Sequence, residues 1–314
     1  MLKAIDTTDY KFPGQDSVYK GKVRDVYFIG EKLILIATDR ISAFDHILKE
    51  LIPFKGQVLN QMSAYFLKST SGIAPNWLED VPDPNVSAGK RCTPIRLEMV
   101  IRGYLAGHAW RIYKDGGRLI CGEKMPDLMI QNQKFPSPIL TPTFKALEGH
   151  DQDISREEIL ENNIVTSEQY KILEDYTFRL FEKGTRMAKD QGLILVDTKY
   201  EFGIFNNEII LIDEIHTPDS SRYYYDSGFD QIIAKGDQPK QLSKEFVREW
   251  LIAEGFQGLE GQEVPSMPRE FVELVSDRYI ELYERVTGLR FNRALSKDND
   301  LRIKTNIENY LRNI

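Results

Sequence analysis

The sequence predicts a mixed fold of antiparallel sheet and helices. Three observations carry that prediction: two hairpin signals far apart in the chain, a long amphipathic helix just before the second, and a helical C-terminal stretch. The 314 residues suggest about two domains, at roughly 150 residues each. With 41% hydrophobic and 11% aromatic residues the chain can bury a full core, which excludes disordered, collagen-like and disulfide-stapled classes.

The elements follow in order. Between Ser17 and Ala37 the runs VYKGKVRDVYFI and KLILIA flank Gly30-Glu31, a hairpin with a glycine-containing turn. Leu59 to Leu67 has helical spacing, and three prolines from Pro75 to Pro84 end that pattern. A β-rich run, Ile95 to Ile101, leads into Arg102-Gly103-Tyr104-Leu105-Ala106-Gly107, and Ala109 to Tyr113 reads as a short helix. Phe135 to Gly149 carries Pro136, Pro138 and Pro142 without periodicity, which predicts a long irregular connection. Ser155 with Glu158 and Thr166 with Gln169 have capping-box spacing. After the second box, Tyr170, Leu173, Tyr176, Leu180, Phe181, Gly184 and Met187 mark one face of a long helix, and Gly192 stands where a left-handed cap belongs. LILVDTKYEFGIF, Asn206-Asn207 and EIILIDEI then form the second hairpin signal. Beyond Pro239 the chain reads helical, with Phe246, Val247, Trp250 and Leu251 on one face, a helix from near Pro268 to Gly288, and a last amphipathic stretch through LRIKTNIENYLRNI.

Charge and cysteines narrow the function classes. Against 41 Lys and Arg stand 48 Asp and Glu, a formal charge of -7, so a polyanion meets net repulsion and nucleic acid is not expected as the main partner. Cys92 and Cys121 lie outside any metal-ligand spacing and are expected as reduced thiols. The N-terminus lacks an apolar signal core and the longest apolar run, Leu33 to Ala37, is far too short to span a bilayer, so a cytoplasmic location without membrane contact is expected.

In a strand, alternate side chains share a face, so Asp197, Lys199 and Glu201 project together, opposite Thr198, Tyr200 and Phe202. Such charges must be solvated, paired or bound to a cation. The returning strand brings Asp213-Glu214 and then His216 to Arg222; two carboxylates from neighbouring strands, with phosphate oxygens and water, suit magnesium. A two-residue loop at Asn206-Asn207 pairs Glu201 with Ile212 and turns Asp213 away, so a shared metal requires a three-residue loop or a bulge at Gly203. Near the N-terminus, Gly21 lets backbone approach a phosphate while Lys22 and Arg24 fall on one strand face; a charged strand edge that prevents aggregation is the alternative. None of His46, His108, His150 and His216 has metal spacing, and no zinc site is expected. Arg102, beside Gly103 and Gly107, suits bidentate contact with phosphate from a flexible loop, or capping of a strand end. P-loop, dinucleotide-fold, α/β-hydrolase and zinc-protease motifs are missing.

Taken together, KGKVRDVY (20–27), ATDRISAFD (37–45), IPFKGQVLNQ (52–61), EMVIRGYLAGHAW (98–110), ILVDTKYEFG (194–203), IDEIHTPDSSR (212–222) and KEFVREWL (244–251) closely resemble the phosphoribosylaminoimidazole-succinocarboxamide synthase (SAICAR synthetase) family, in order from Ser17 to about Gly288. The resemblance implies an α+β fold: an N-terminal antiparallel lobe like the small lobe of protein kinases (1–100), a second lobe similar to the ATP-grasp unit (101–230), and C-terminal helices (231–314). It implies ATP-dependent condensation of carboxyaminoimidazole ribonucleotide (CAIR) with L-aspartate, with magnesium, in a monomer or weak homo-oligomer. Carried over by position, Gly21, Lys22 and Arg24 would hold ATP phosphates, with Glu98 near the ribose. Glu201 and Asp213 would bind magnesium, and Asp197 and Lys199 would sit by the CAIR carboxylate. Arg102 and Arg222 would grip the CAIR phosphate, and the loop from Ser42 to Asp45 would close on substrate at the aspartate subsite. The family often has serine where this chain has His108, whose imidazole could donate to phosphate instead; the segment beyond Phe291 exceeds the resemblance. Two alternatives remain open on sequence: a small-molecule kinase with no amine acceptor, and a non-catalytic nucleotide-binding protein.

Overall fold

The computed structural model describes residues 4–146 and 151–314; His150 and the end of the Phe135–Gly149 segment lie outside the described residues. Strands β1 (Gln15–Lys20), β2 (Arg24–Ile29) and β3 (Lys32–Ala37) form an antiparallel meander, with Ile29 opposite Lys32 across the Gly30-Glu31 turn. After the small hairpin of β4 (Ser42–Ala43) and β5 (His46–Ile47) comes helix α1 (Lys55–Ser69). Strands β6 (Leu78–Asp83) and β7 (Val86–Lys90) complete a five-stranded sheet of order β1-β2-β3-β7-β6.

The chain then enters a second sheet through β8 (Thr93–Tyr104), followed by α2 (Gly107–Lys114), the hairpin β9 (Leu119–Ile120) and β10 (Glu123–Lys124), and β11 (Lys134–Leu140). Strands β12 (Thr143–Phe144) and β13 (Gln152–Asp153) precede α3 (Arg156–Glu161) and α4 (Ser167–Asp190). Both helices start with the capping boxes expected, Ser155 with Glu158 and Thr166 with Gln169. The stretch expected to be an irregular connection is largely strand. Prolines are tolerated in β11 because it pairs with β8 alone, through a register shift between Lys134 and Ile139 that spans Pro136 and Pro138.

Central to this sheet is β14 (Leu193–Phe205), buried along most of its length. It lies against β8 on one side; on the other it meets β16 (Ser221–Tyr225) over its first half and β15 (Glu208–Ile212) over its second. The two neighbours therefore leave a fork near Lys199 and Tyr200, and the segment 213–220 passes through it, where the Lys199 amide donates to the Ser220 carbonyl at 3.2 Å. Helices α5 (Phe229–Ala234), α6 (Glu245–Ala253), α7 (Arg269–Thr287) and α8 (Asn299–Arg312) follow.

One large apolar cluster joins α1, α4, α7 and the inner face of the second sheet. A smaller one covers the first sheet, where Ile303 and Ile307 of α8 close over Tyr27, Ile34 and Ile36. Arg302 fixes that helix through Asp83 at 3.0 Å and Asn85 at 2.6 Å. No helix among the described residues is long and apolar enough to cross a membrane.

Candidate active site

The acidic end of the site grows from register. Glu201 of β14 stands directly opposite Glu98 of β8, an arrangement that like charges disfavour unless cations bridge them. Lys199 does so, donating to Glu98 at 2.5 Å and Glu201 at 3.4 Å, and Lys145 donates to Glu201 at 2.7 Å. Burial opposes the Lys199 ammonium, yet Glu98, Glu201 and Asp213 hold it above its ordinary pKa. Glu201 is likewise kept below the usual carboxylate range, its burial outweighed by Lys199 and Lys145.

Asp213 reaches this cluster by a route the hairpin pattern does not contain. The Asn206-Asn207 turn is two residues long, both with positive φ, and Glu201 pairs with Ile212, the even register that should send Asp213 away. Gly203 does sit at a register shift, but against β8. Asp213 instead leaves the strand in the left-handed region, φ 59°, and its carboxyl comes close enough to Glu201 for the like charge to act. Burial pushes this carboxyl up; Arg24 opposes that, while Glu201 and Glu214 add to it. Arg24 of β2 pairs with Asp213 and Glu214, tying the first sheet to the fork.

The opposite end of the site is a guanidinium pair. Asp197 is in register with Arg102 on one side and Arg222 on the other, and accepts from both, at 3.4 and 2.7 Å. Arg102 also donates to Thr141 at 2.8 Å, and Arg222 to Glu245 at 3.1 Å. Burial, with Arg222 nearby, lowers the Arg102 pKa. Gly107 is required here: at φ 54° a Cβ would lie 2.5 Å from the Arg222 guanidinium. Arg102, His108, Asp197, Lys199, Arg222 and Asp45 all line one cavity of about 440 Å³.

Three sequence expectations need correction or refinement. Lys22 and Arg24 do not share a strand face: Gly21 ends β1, its amide donates to the Arg24 carbonyl at 2.8 Å, and Lys22 lies in the connecting turn. Lys22 pairs with Asp45, while Arg24 turns to the acids. Ser42 lies in β4 and does not line the large cavity, although Asp45 does. His108 is bonded to Asp153 at 2.7 Å.

Sequence reasoning missed Lys145, hidden in the proline-rich segment, and Asp219, which accepts from Lys55 at 3.0 Å and Tyr279 at 2.6 Å. It also left Lys244, Glu245 and Arg248 without a role, though their spacing at the start of α6 turns them toward one cavity. Burial lowers Lys244 to about 8, opposed by Asp219 at 3.5 Å.

No three acid, histidine or cysteine side chains among the described residues form a ready-made metal cage. Magnesium does not require one, because it keeps waters and takes one or two carboxylates plus substrate phosphates. Glu201 and Asp213 fit that donor chemistry: hard oxygens, close enough to repel, with burial disfavouring the charge on Asp213.

The match to known proteins decides the family, since the model of the SAICAR synthetase family covers residues 17–263. This chain belongs to the SAICAR synthetase family. It is 57% identical over 312 residues to the phosphoribosylaminoimidazole-succinocarboxamide synthase of Bacteroides thetaiotaomicron, covering 99% of each chain. Among solved structures, SAICAR synthase from Saccharomyces cerevisiae in complex with SAICAR superposes with a TM-score of 0.79 at 33% identity, over 92% of this chain and 100% of that one. A type-2 SAICAR synthetase in complex with ADP gives a TM-score of 0.67 at 25% identity, over 88% and 100%. The family's overall α/β architecture is thereby that of this chain.

Proposed function

We propose that this chain condenses CAIR with L-aspartate, using ATP, to give SAICAR, ADP and phosphate in purine biosynthesis. Family membership supports the reaction, and the observation that carries its placement is the contrast between the two ends of β14. One end offers guanidiniums to an anion; the other gathers carboxylates where a phosphoryl-bound cation would sit.

A carboxylate resists attack by an amine because its leaving group would be oxide. In the proposed route the CAIR carboxylate oxygen attacks the γ-phosphorus of ATP, ADP departs, and an acyl phosphate forms. The aspartate amine then adds to the acyl carbon, loses its proton, and expels phosphate. Positioning and charge neutralisation carry both steps. Lys199, charged and fixed between Glu98 and Glu201, would offset charge on the carboxylate and the transferring phosphoryl group. Glu201 and Asp213 would hold magnesium, which when bound neutralises phosphate oxygens. Gly21, Lys22 and Arg24 would meet the ATP phosphates, with Glu98 toward the nucleotide. Arg102 and Arg222 would hold the CAIR phosphate and Asp197 would orient both; Ser42 and Asp45 would approach aspartate.

The kinase-like and ATP-grasp-like character of the lobes, their limits at 100 and 230, a monomer or weak homo-oligomer, and a cytoplasmic location belong to the same proposal. The test incubates the protein with ATP, magnesium and CAIR, with and without aspartate, following ADP and product absorbance. Multiple-turnover ADP release should require aspartate; sustained release without it would convert the reading to a kinase.

A further inference from the structure

Asp213 is the one acid of the site that no strand ladder places. Ile212, the last residue of β15, pairs with Glu201, and a next residue in extended conformation would turn its side chain to the far face. The left-handed backbone at φ 59° reverses that, at a cost for a non-glycine residue comparable to what one neutral hydrogen bond contributes. Whatever fixes this backbone therefore decides where the carboxylate stands.

Two side chains hold Asp213 among the described residues. Arg24 takes the carboxyl, and the Trp77 indole Nε1–H donates to the main-chain carbonyl at 3.0 Å. Their permanence differs. In the function proposed above Arg24 meets the ATP phosphates, which compete with Asp213 for its guanidinium. Trp77 faces no such competitor: it is 4% exposed, and its single side-chain donor is committed to this carbonyl. The direction of a carbonyl is set by the ψ of its own residue, so the bond pins the left-handed turn itself.

Trp77 is in turn built in from both sheets. Its amide donates to the Leu211 carbonyl at 3.0 Å and the Leu211 amide to the Pro75 carbonyl at 2.8 Å, so residues 75–77 run beside β15. On the other side the Lys90 amide of β7 donates to the Trp77 carbonyl at 2.9 Å, next to Gly89, where a Cβ would lie 1.9 Å from that oxygen. Asn76 ties the same segment to the end of α1, donating to the Leu67 carbonyl at 3.0 Å. A buried tryptophan usually finds a partner for its N–H, and any carbonyl would satisfy it. The one it meets belongs to the residue that leaves the hairpin pattern.

We propose that Trp77 is a positioning residue for the cation site: its indole N–H holds Asp213 in the left-handed turn that brings the carboxylate beside Glu201, including when Arg24 has turned to phosphate. This rests on the magnesium reading of Glu201 and Asp213 above.

Manganese in place of magnesium, with ADP, reads the site without turnover. Calorimetry gives the ADP affinity with manganese and in EDTA, and the ratio of the two is the metal's contribution. Trp77→Phe keeps a buried ring and removes the donor. It should lower that ratio roughly two- to tenfold, the range of one neutral hydrogen bond, and leave the affinities for metal-free ADP and for CAIR as in wild type. Replacing Trp77 with 3-benzothienylalanine, which has sulfur for the N–H and otherwise keeps the bicyclic ring, should do the same without opening a cavity. In an Asp213→Asn background Trp77→Phe should change the ratio no further, whereas a general structural defect would add to the loss. Additive losses, or a wild-type ratio in both Trp77 variants while Asp213→Asn lowers it, would overturn the proposal and leave the cation site standing. A ratio unchanged by Asp213→Asn would remove the cation reading and the proposal with it.

Discussion

The two ends of β14 are built from the same materials and arrive at opposite electrostatics. At Asp197 one carboxylate is shared by two guanidiniums, Arg102 and Arg222, supplied by the strands on either side. Four residues on, Glu201 faces Glu98 across the ladder and gathers Asp213 and Glu214 from the fork, with Lys199, Lys145 and Arg24 set against them. Because alternate residues share a face, Asp197, Lys199 and Glu201 form one row, and the neighbours decide its sign at each point. On the proposed function, the long central strand would space an anion subsite and a cation subsite at a fixed distance, which is what transfer between a bound acid and a nucleotide needs.

Removing the acidic end should have the largest effect. Glu201→Gln and Asp213→Asn should each lower kcat by roughly a thousandfold or more, since several kcal/mol of charge stabilisation are at stake. The loss should persist at saturating CAIR. Turnover near wild type at ordinary magnesium in either variant would erase the distinction between the ends. Arg222→Lys should act differently, keeping the charge but losing the fork that reaches Asp197 and Glu245. Charged hydrogen bonds of about 1.5–3 kcal/mol imply a CAIR KM raised by roughly 10–100-fold with little change for ATP; equal shifts in both would count against an anion subsite. Gly107→Ala asks the same question more gently. The strained φ of 54° and the 2.5 Å approach to Arg222 should cost about 1–2 kcal/mol, seen as a raised CAIR KM and a lower melting temperature.

The elements written in local sequence were legible: both hairpin turns, both capping boxes and the glycine after α4. Each depends on residues within a few positions. The site was legible only in composition. That Asp197, Lys199 and Glu201 share a row follows from period two, but their partners come from β8, β16 and the 141–145 segment, and no local rule supplies such pairings. Asp213 illustrates the limit. Pairing logic left two registers open and tied a shared metal to the odd one; the even register is the one found, and a single left-handed residue still turns the Asp213 side chain to Glu201. At the N-terminus the opposite happened: Lys22 and Arg24 have the spacing of a shared face, and Gly21 broke the strand that would have made one.

The reverse side of the same strand offers the smallest and most separable effect. Beneath the charged row, Tyr200 and Phe202 are fully buried, and His216 fills the fork from below. Its ring lies 3.2 Å from the Tyr200 hydroxyl and packs on Phe66, in space that exists because residue 184 of α4 is glycine; a Cβ there would stand 2.3 Å from the ring. Burial pushes the His216 pKa down to about 3, so the imidazole is neutral in the folded protein. In the unfolded chain it takes a proton near its ordinary pKa of about 6.5, so between those values the unfolded state binds more protons and stability falls as pH falls. The slope contributed should approach about 1.4 kcal/mol per pH unit below pH 6. Urea unfolding at pH 7.5, 6 and 5 reads it. In His216→Asn, which keeps a residue tolerant of the left-handed backbone found here, that part of the slope should vanish even though the variant is less stable at every pH. An unchanged slope would mean that the acid sensitivity resides in the charged row above, and that the two faces of β14 are not electrostatically independent.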